Sequence, residues 1–343
     1  MKRINLALQG GGAHGAFTWG VLCRLLHEED VEISAISGTS AGALNAAALK
    51  SGWVANGRTG ALENLEWFWG QVGAITDPRF SEWVSSLAPT AHLWAQAMES
   101  SPAYMAFDMT TRMLSPYIYG PSMRNPLERI VREFHYDEVC ASDGPDLHIC
   151  ATNVRTGKIR VFAGDEIMPE VIMASACLPS LFQAVEFTDP STGKTEAFWD
   201  GGYTGNPALF PLFHKDLPDD ILIVNINPLH REELPNDSRS IQNRINEISF
   251  NSSLFRELRA IEFVKRLIRD GMVKPGNMKD VLVHMIADDA LMNELNVATK
   301  TIPNAVVIAR LKSAGEDAAE AFLKNHKDDL NQRSTVNLTG MFS

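Results

Sequence analysis

Five residues, Gly38-Thr39-Ser40-Ala41-Gly42, separate an apolar run at 31–36 from an alanine-rich stretch at 41–49. That order predicts a strand, an abrupt turn and a helix, because Gly38 and Gly42 let the backbone reverse so tightly that the serine hydroxyl stays exposed. A second unit precedes it. Residues 4–9 read as a short strand, 10–15 as a glycine loop, and 16–29 as a helix with Phe17, Val21, Leu22, Leu25 and Leu26 at helical spacing. Strand, loop, helix, strand, turn and helix within residues 1–50 call for parallel strands with helices on the faces of the sheet. The expected class is α/β.

Further strands are predicted at 147–153, 158–162, 183–187, 197–199, 221–227 and 281–286, and helices at 168–176, 240–270 and 313–326. The helix after the turn is expected to end near Leu49. Residues 53–125 differ in character: they hold five of the seven tryptophans, several methionines and prolines at 78, 89, 102, 116 and 121. They read as a helical insertion or cap whose Trp83, Leu87, Leu93, Trp94, Met98, Tyr104, Met105 and Phe107 pack as an ordinary subdomain or meet an acyl chain or lipid interface. No internal repeat is visible. The organisation expected is one domain over 1–343, with a core at 4–227, the insertion at 53–125 and a C-terminal extension at 228–343.

The chain has 343 residues, 45% hydrophobic and 21% charged, enough for a large core. Its net charge of −11, without a run of five Lys/Arg, argues against nucleic acid and against strong attraction to anionic lipid. The four cysteines form no C-x-x-C pair, Met1-Lys2-Arg3 opens no signal peptide, and no apolar run reaches the roughly 18–20 residues of a membrane span. A soluble cytoplasmic protein is expected, with any contact to a membrane or lipid body peripheral and apolar.

Two chemistries compete for the glycine loop. Gly10, Gly12 and Gly15 satisfy G-x-G-x-x-G, the pattern of a nucleotide-binding module. Such a module wants a carboxylate at the end of the second strand, where this chain has Ser37-Gly38-Thr39-Ser40. The alternative is an oxyanion hole, in which the amides of Gly11, Gly12 and their neighbours, with that of Ala41, converge beside Ser40 as nucleophile. A serine needs a base, and none of the nine histidines lies in a catalytic-looking context. Asp200, between Phe198-Trp199 and Gly201-Gly202, is the stronger candidate, since burial raises a carboxylate pKa into a useful range. The competing reading is a plain Asp-Gly turn.

The glycine loop, G-T-S-A-G and D-G-G in this order, with Ala174-Ser175-Ala176-Cys177-Leu178-Pro179 between the last two, resemble the patatin-like phospholipases over residues 4–227. The resemblance implies a three-layer α/β/α core with a mostly parallel sheet and lipid acyl hydrolysis by a serine-aspartate dyad, with no metal or cofactor. By that resemblance Ser40 matches the nucleophile, Asp200 the base and the amides of Gly10, Gly11, Gly12 and Ala13 the oxyanion hole; Gly38, Gly42, Gly201 and Gly202 support the two turns. The family loop usually carries Arg or Lys where this chain has His14, so loop charge there would depend on pH. An acyltransferase or thioesterase would use the same residues.

Overall fold

In the computed structural model the described residues are 1–74, 90–119, 125–274 and 276–342. Eight strands form one sheet: β1 (Lys2–Leu8), β2 (Val31–Gly38), β3 (Asp146–Asn153), β4 (Ile159–Ala163), β5 (Val185–Asp189), β6 (Lys194–Asp200), β7 (Asp220–Asn225) and β8 (Leu282–Ala287). β3, β2, β1, β7 and β8 run parallel, and β4, β5 and β6 add antiparallel pairs. The runs of Ile, Leu and Val in β1, β2 and β7 are buried on both faces, as parallel strands require.

Six helices position the site: α1 (Gly15–Leu26), α2 (Ala41–Val72), α3 (Pro169–Ser175), α4 (Ser238–Arg269), α5 (Val297–Thr301) and α6 (Ala305–His326). α1, α2, α3 and α6 share one core with Leu6, Leu8, Ile36, Ile149 and Val224. On the opposite face, Leu254, Leu258 and Ile261 of α4 cover Ala7, Ala35, Ile221, Ile223 and Val283. The result is three layers. Leu258 is fully buried, and truncating it to alanine costs about 2–5 kcal/mol. α1 and α6 cross unusually close, because a Cβ on Gly20 would strike the Lys312 carbonyl and one on Gly315 the Phe17 carbonyl.

α2 departs from the expected end at Leu49. It continues through a break at Asn56 and Gly57, where φ reaches 57° at the glycine, and ends at Val72. Its second half buries Leu65, Phe68 and Trp69, and Trp69 stacks on Trp19. These aromatics belong to the core because their helix folds back over the sheet, so the start of the expected cap is core. Leu93, Trp94 and Met105, in helices Ala91–Glu99 and Pro102–Met113, are exposed, while Tyr104 is buried. Trp83 and Leu87 lie outside the described residues. α6 begins eight residues earlier than the expected 313, capped by Asn304, whose side chain accepts the amides of Val306 and Val307. Among the described residues no helix is long and apolar enough to cross a membrane.

Candidate active site

Register explains how two residues 160 positions apart meet. β2 pairs with residues 146–149 of β3 and β6 with residues 151–153, while β4 occupies the other side of β3 over residues 148–152. β2 and β6 therefore lie on the same side of β3, pointing at each other with their carboxyl ends. Gly38 pairs with Ile149 and Asp200 with Ala151, so the elbow and the aspartate face across the gap.

Ser40 has φ 53° and ψ −121°, and Asn331 is its only non-glycine companion at positive φ among the described residues. Such a conformation costs on the order of 1–3 kcal/mol and survives only where neighbours impose it. They do so at close range. Ser40 N–H donates to Ser175 Oγ at 2.9 Å, Thr39 N–H to the Leu8 carbonyl at 3.2 Å, and Thr39 Oγ1 to the Gly205 carbonyl at 2.7 Å. Gly42 must be glycine because a Cβ there would strike the Leu8 carbonyl, and a Cβ on Gly10 would come within 2.5 Å of Ser40 Cβ.

Asp200 is 1% exposed. Its Oδ1 accepts the Gly202 amide at 2.7 Å, while Oδ2 has no hydrogen-bond partner. Burial pushes its pKa up to about 7 against the pull of the Gly202 amide and the nearby Ser40 hydroxyl, which is felt by the carboxylate without completing a bond of ordinary geometry. Its backbone is fixed at both ends: the amide donates to the Cys177 carbonyl at 2.8 Å, and the carbonyl accepts Thr152 Oγ1 at 2.8 Å. A Cβ on Gly201 would strike the Cys150 carbonyl, which accounts for the first glycine of the turn.

The glycine loop is held by the amide side chains of residues distant in sequence, which no local motif marks. Asn206 accepts the Gly10 amide at 2.7 Å, so Gly10, expected among the oxyanion donors, has its N–H already engaged. Asn227 Nδ2 donates to the Gly10 carbonyl at 2.8 Å, and Gln9 Oε1 accepts the amides of Ile226 and Asn227. The amides of Gly11, Gly12, Ala13 and Ala41 have no acceptor among the described residues. α5 backs the loop, with the Lys300 carbonyl against Gly12.

His14 corrects an expectation. It is fully buried, its Nε2 lies 2.8 Å from Thr299 Oγ1, and that hydroxyl donates to the Asn296 carbonyl. Nε2 is thus the donor. Burial, aided by Lys300 and Arg231, holds its pKa well below the usual histidine range, so His14 is a neutral strut and supplies no pH-dependent charge. Among the described residues no histidine hydrogen-bonds Ser40 or Asp200; His284, in β8, bonds Asp220 instead. No three His, Cys, Asp or Glu side chains converge as metal ligands among the described residues. A cavity of about 690 Å³, lined by Gln71, Leu127, Arg129 and Pro303 among others, includes no site residue.

This geometry suits acyl transfer: a strained serine, an under-bonded carboxyl group and a loop of free amides. Comparison with known proteins bears on the same residues. The family model described as patatin-like phospholipase matches residues 6–213, which contain Ser40, Asp200 and the glycine loop. A search of curated proteins returned no match. Among solved structures, VipD from Legionella pneumophila is similar at 15% identity and a TM-score of 0.43, covering 95% of this chain and 67% of that one.

Proposed function

Because this chain belongs to the patatin-like phospholipase family, we propose that it cleaves carboxylic esters of lipids through Ser40 and Asp200. The observation that carries the reading is the pairing of a buried carboxyl group, its Oδ2 unpartnered, with a serine held at positive φ. Asp200 takes the proton of Ser40 as Oγ attacks the ester carbonyl carbon, and returns it to the leaving alcohol. The amides of Gly11, Gly12, Ala13 and Ala41 receive the developing oxyanion, each donor being worth about 2.7–4 kcal/mol. Water then attacks the acyl-serine carbonyl as Asp200 takes its proton; the C–Oγ bond breaks, the proton returns to Ser40 Oγ, and a fatty acid leaves. A histidine shuttle is unnecessary, because a carboxyl group titrating near neutrality can both accept and return the proton.

The test is hydrolysis of a soluble short-chain ester together with fluorophosphonate labelling. Ser40→Ala is expected to lose both, and Asp200→Asn to lose hydrolysis. A histidine substitution that stops turnover in a folded protein would replace the dyad with a triad.

A further inference from the structure

The acyl-transfer reading leaves the outer face of α4 unused. Apolar residues recur along the sequence of α4 at Ile241, Ile245, Ile248, Leu258 and Ile261, but at 3.6 residues per turn the first three fall on a different side of the helix from the last two. The fold uses the two sides differently: Leu258 and Ile261 are buried, and the three isoleucines are exposed. Between Ile241 and Arg269 the exposed positions hold Ile, Phe, Ala, Gln, Asn and Arg, and none is acidic. The helix carries seven Lys/Arg against three Glu in a chain of net charge −11, and Glu247, Glu257 and Glu262 are all turned away from full exposure.

We propose that this face docks the protein on an anionic lipid surface, an inference that rests on the lipid-ester reading of the Ser40 site. At 3.6 residues per turn, Ile245, Ile248, Phe263, Arg256, Arg259 and Arg266 fall within a sector of roughly 80°, along roughly 32 Å of helix. Ile245, Ile248 and Phe263 are 53%, 54% and 51% exposed. Arg256, Arg259 and Arg266 form no ion pair among the described residues; they contact the Ser252 carbonyl, the Phe342 ring and the Phe263 ring, and Arg256 lies within electrostatic reach of Glu257. Aliphatic side chains interleaved with free guanidinium groups match acyl boundary and phosphate together. A groove of about 290 Å³ shares residues with the stripe and is lined by Leu229, Ile248 and Phe255 together with Arg244, Arg256 and Arg259.

Two features favour this occupant. A second copy would set one cationic face against another, which repulsion opposes. The stripe also begins beside the chemistry: Phe250 packs on Tyr203 and against Gly202, and Asn251 accepts from Gln9 Nε2. One turn of α4 thus touches both site loops on its inner side and presents the stripe on its outer side. The net charge of the whole chain conceals this local reversal.

The experiment is vesicle flotation of the Ser40→Ala protein, so that lipid is not consumed. Phosphatidylcholine vesicles containing phosphatidylglycerol are expected to carry it, vesicles of phosphatidylcholine alone far less, and raised salt to release it. Combining Arg256→Gln, Arg259→Gln and Arg266→Gln is expected to weaken binding roughly 100-fold. Ile245→Ser with Ile248→Ser is expected to weaken it by a fraction that salt does not change. Melting curves establish that the variants are folded. Equal flotation with both vesicle types, undiminished binding by the arginine variant, or a stripe that proves to mediate self-association in sedimentation overturns the proposal. A protein with Ser40 intact that floats but releases no fatty acid would overturn the hydrolase reading and leave docking standing.

Discussion

Asp200 and Asp220 are equally buried, each 1% exposed, and they behave in opposite ways. Asp220, at the start of β7, has both oxygens engaged: Oδ1 lies 2.9 Å from His284 Nε2 and accepts the Asn331 amide at 2.8 Å, and Oδ2 accepts Asn331 Nδ2 at 2.9 Å. Burial pushes its pKa up, but these bonds outweigh burial and hold it below the usual range. Asp200, at the end of β6, has one amide and an idle oxygen, and burial wins. Burial alone therefore does not decide a carboxylate's role. The number of donors it meets does, and the group left short of donors is the one free to take a proton.

The largest expected effect breaks the pair apart. Asp200→Asn should lower kcat at least 10³-fold, an order-of-magnitude figure for loss of a general base, yet raise stability by on the order of 2 kcal/mol above pH 7. Chemical denaturation beside ester turnover checks both, and a destabilised Asp200→Asn would contradict the account of its pKa. Asp220→Asn should do the reverse, losing about 3 kcal/mol because His284 and Asn331 keep buried polar atoms without their charged partner, with ester turnover per folded molecule little changed.

The pH dependences sharpen the contrast. The folded pKa of Asp200 is raised, so its contribution to stability is present below pH ~4 and is lost as pH climbs through about 7. That of Asp220 is lowered, so its contribution is present above pH ~4 and lost as pH falls further. The proposed dyad needs ionised Asp200, hence kcat/KM should rise through about pH 7 and level off. A profile governed by a group near pH 4 would place the base elsewhere.

Smaller effects belong to the scaffold. Ser175→Ala removes the acceptor of the Ser40 amide, and Asn227→Ala removes a donor to the Gly10 carbonyl. Each should reduce kcat by roughly tenfold, equivalent to about 1.4 kcal/mol, with KM nearly unchanged. The smallest concerns His14→Gln, which keeps a donor for Thr299 and should leave the pH profile in place, since a neutral ring has no charge to lose.

Most strands and helices were legible because their signals are local: period two or 3.6, and glycine at the turns. Ser40 and Asp200 were legible because each sits in a short motif forced by sterics. Gly42 faces the Leu8 carbonyl and Gly201 the Cys150 carbonyl, and no other residue fits. The roles of Asn206 and Asn227 were not legible, since their bonds to Gly10 span 196 and 217 positions and depend on register. The neutrality of His14 was hidden for the same reason: Thr299 and Lys300 reach it from a helix nearly 300 residues away. Periodicity marked the apolar positions of α4 but could not say which of them would face the sheet, and the arginines between them held that information.

The crossing of α1 with α6 sets an order of assembly. Arg24 of α1 bonds Glu320 of α6 across 296 positions, and the two backbones touch through Gly20 and Gly315. During translation the glycine loop and α1 emerge early, whereas their packing partner appears only near the completion of this stretch of polypeptide. The elbow waits as well, since Ser175 and Gly205 hold its turn and Lys300 backs the glycine loop, so the parts of the site are drawn together only once residues far down the chain have joined the sheet.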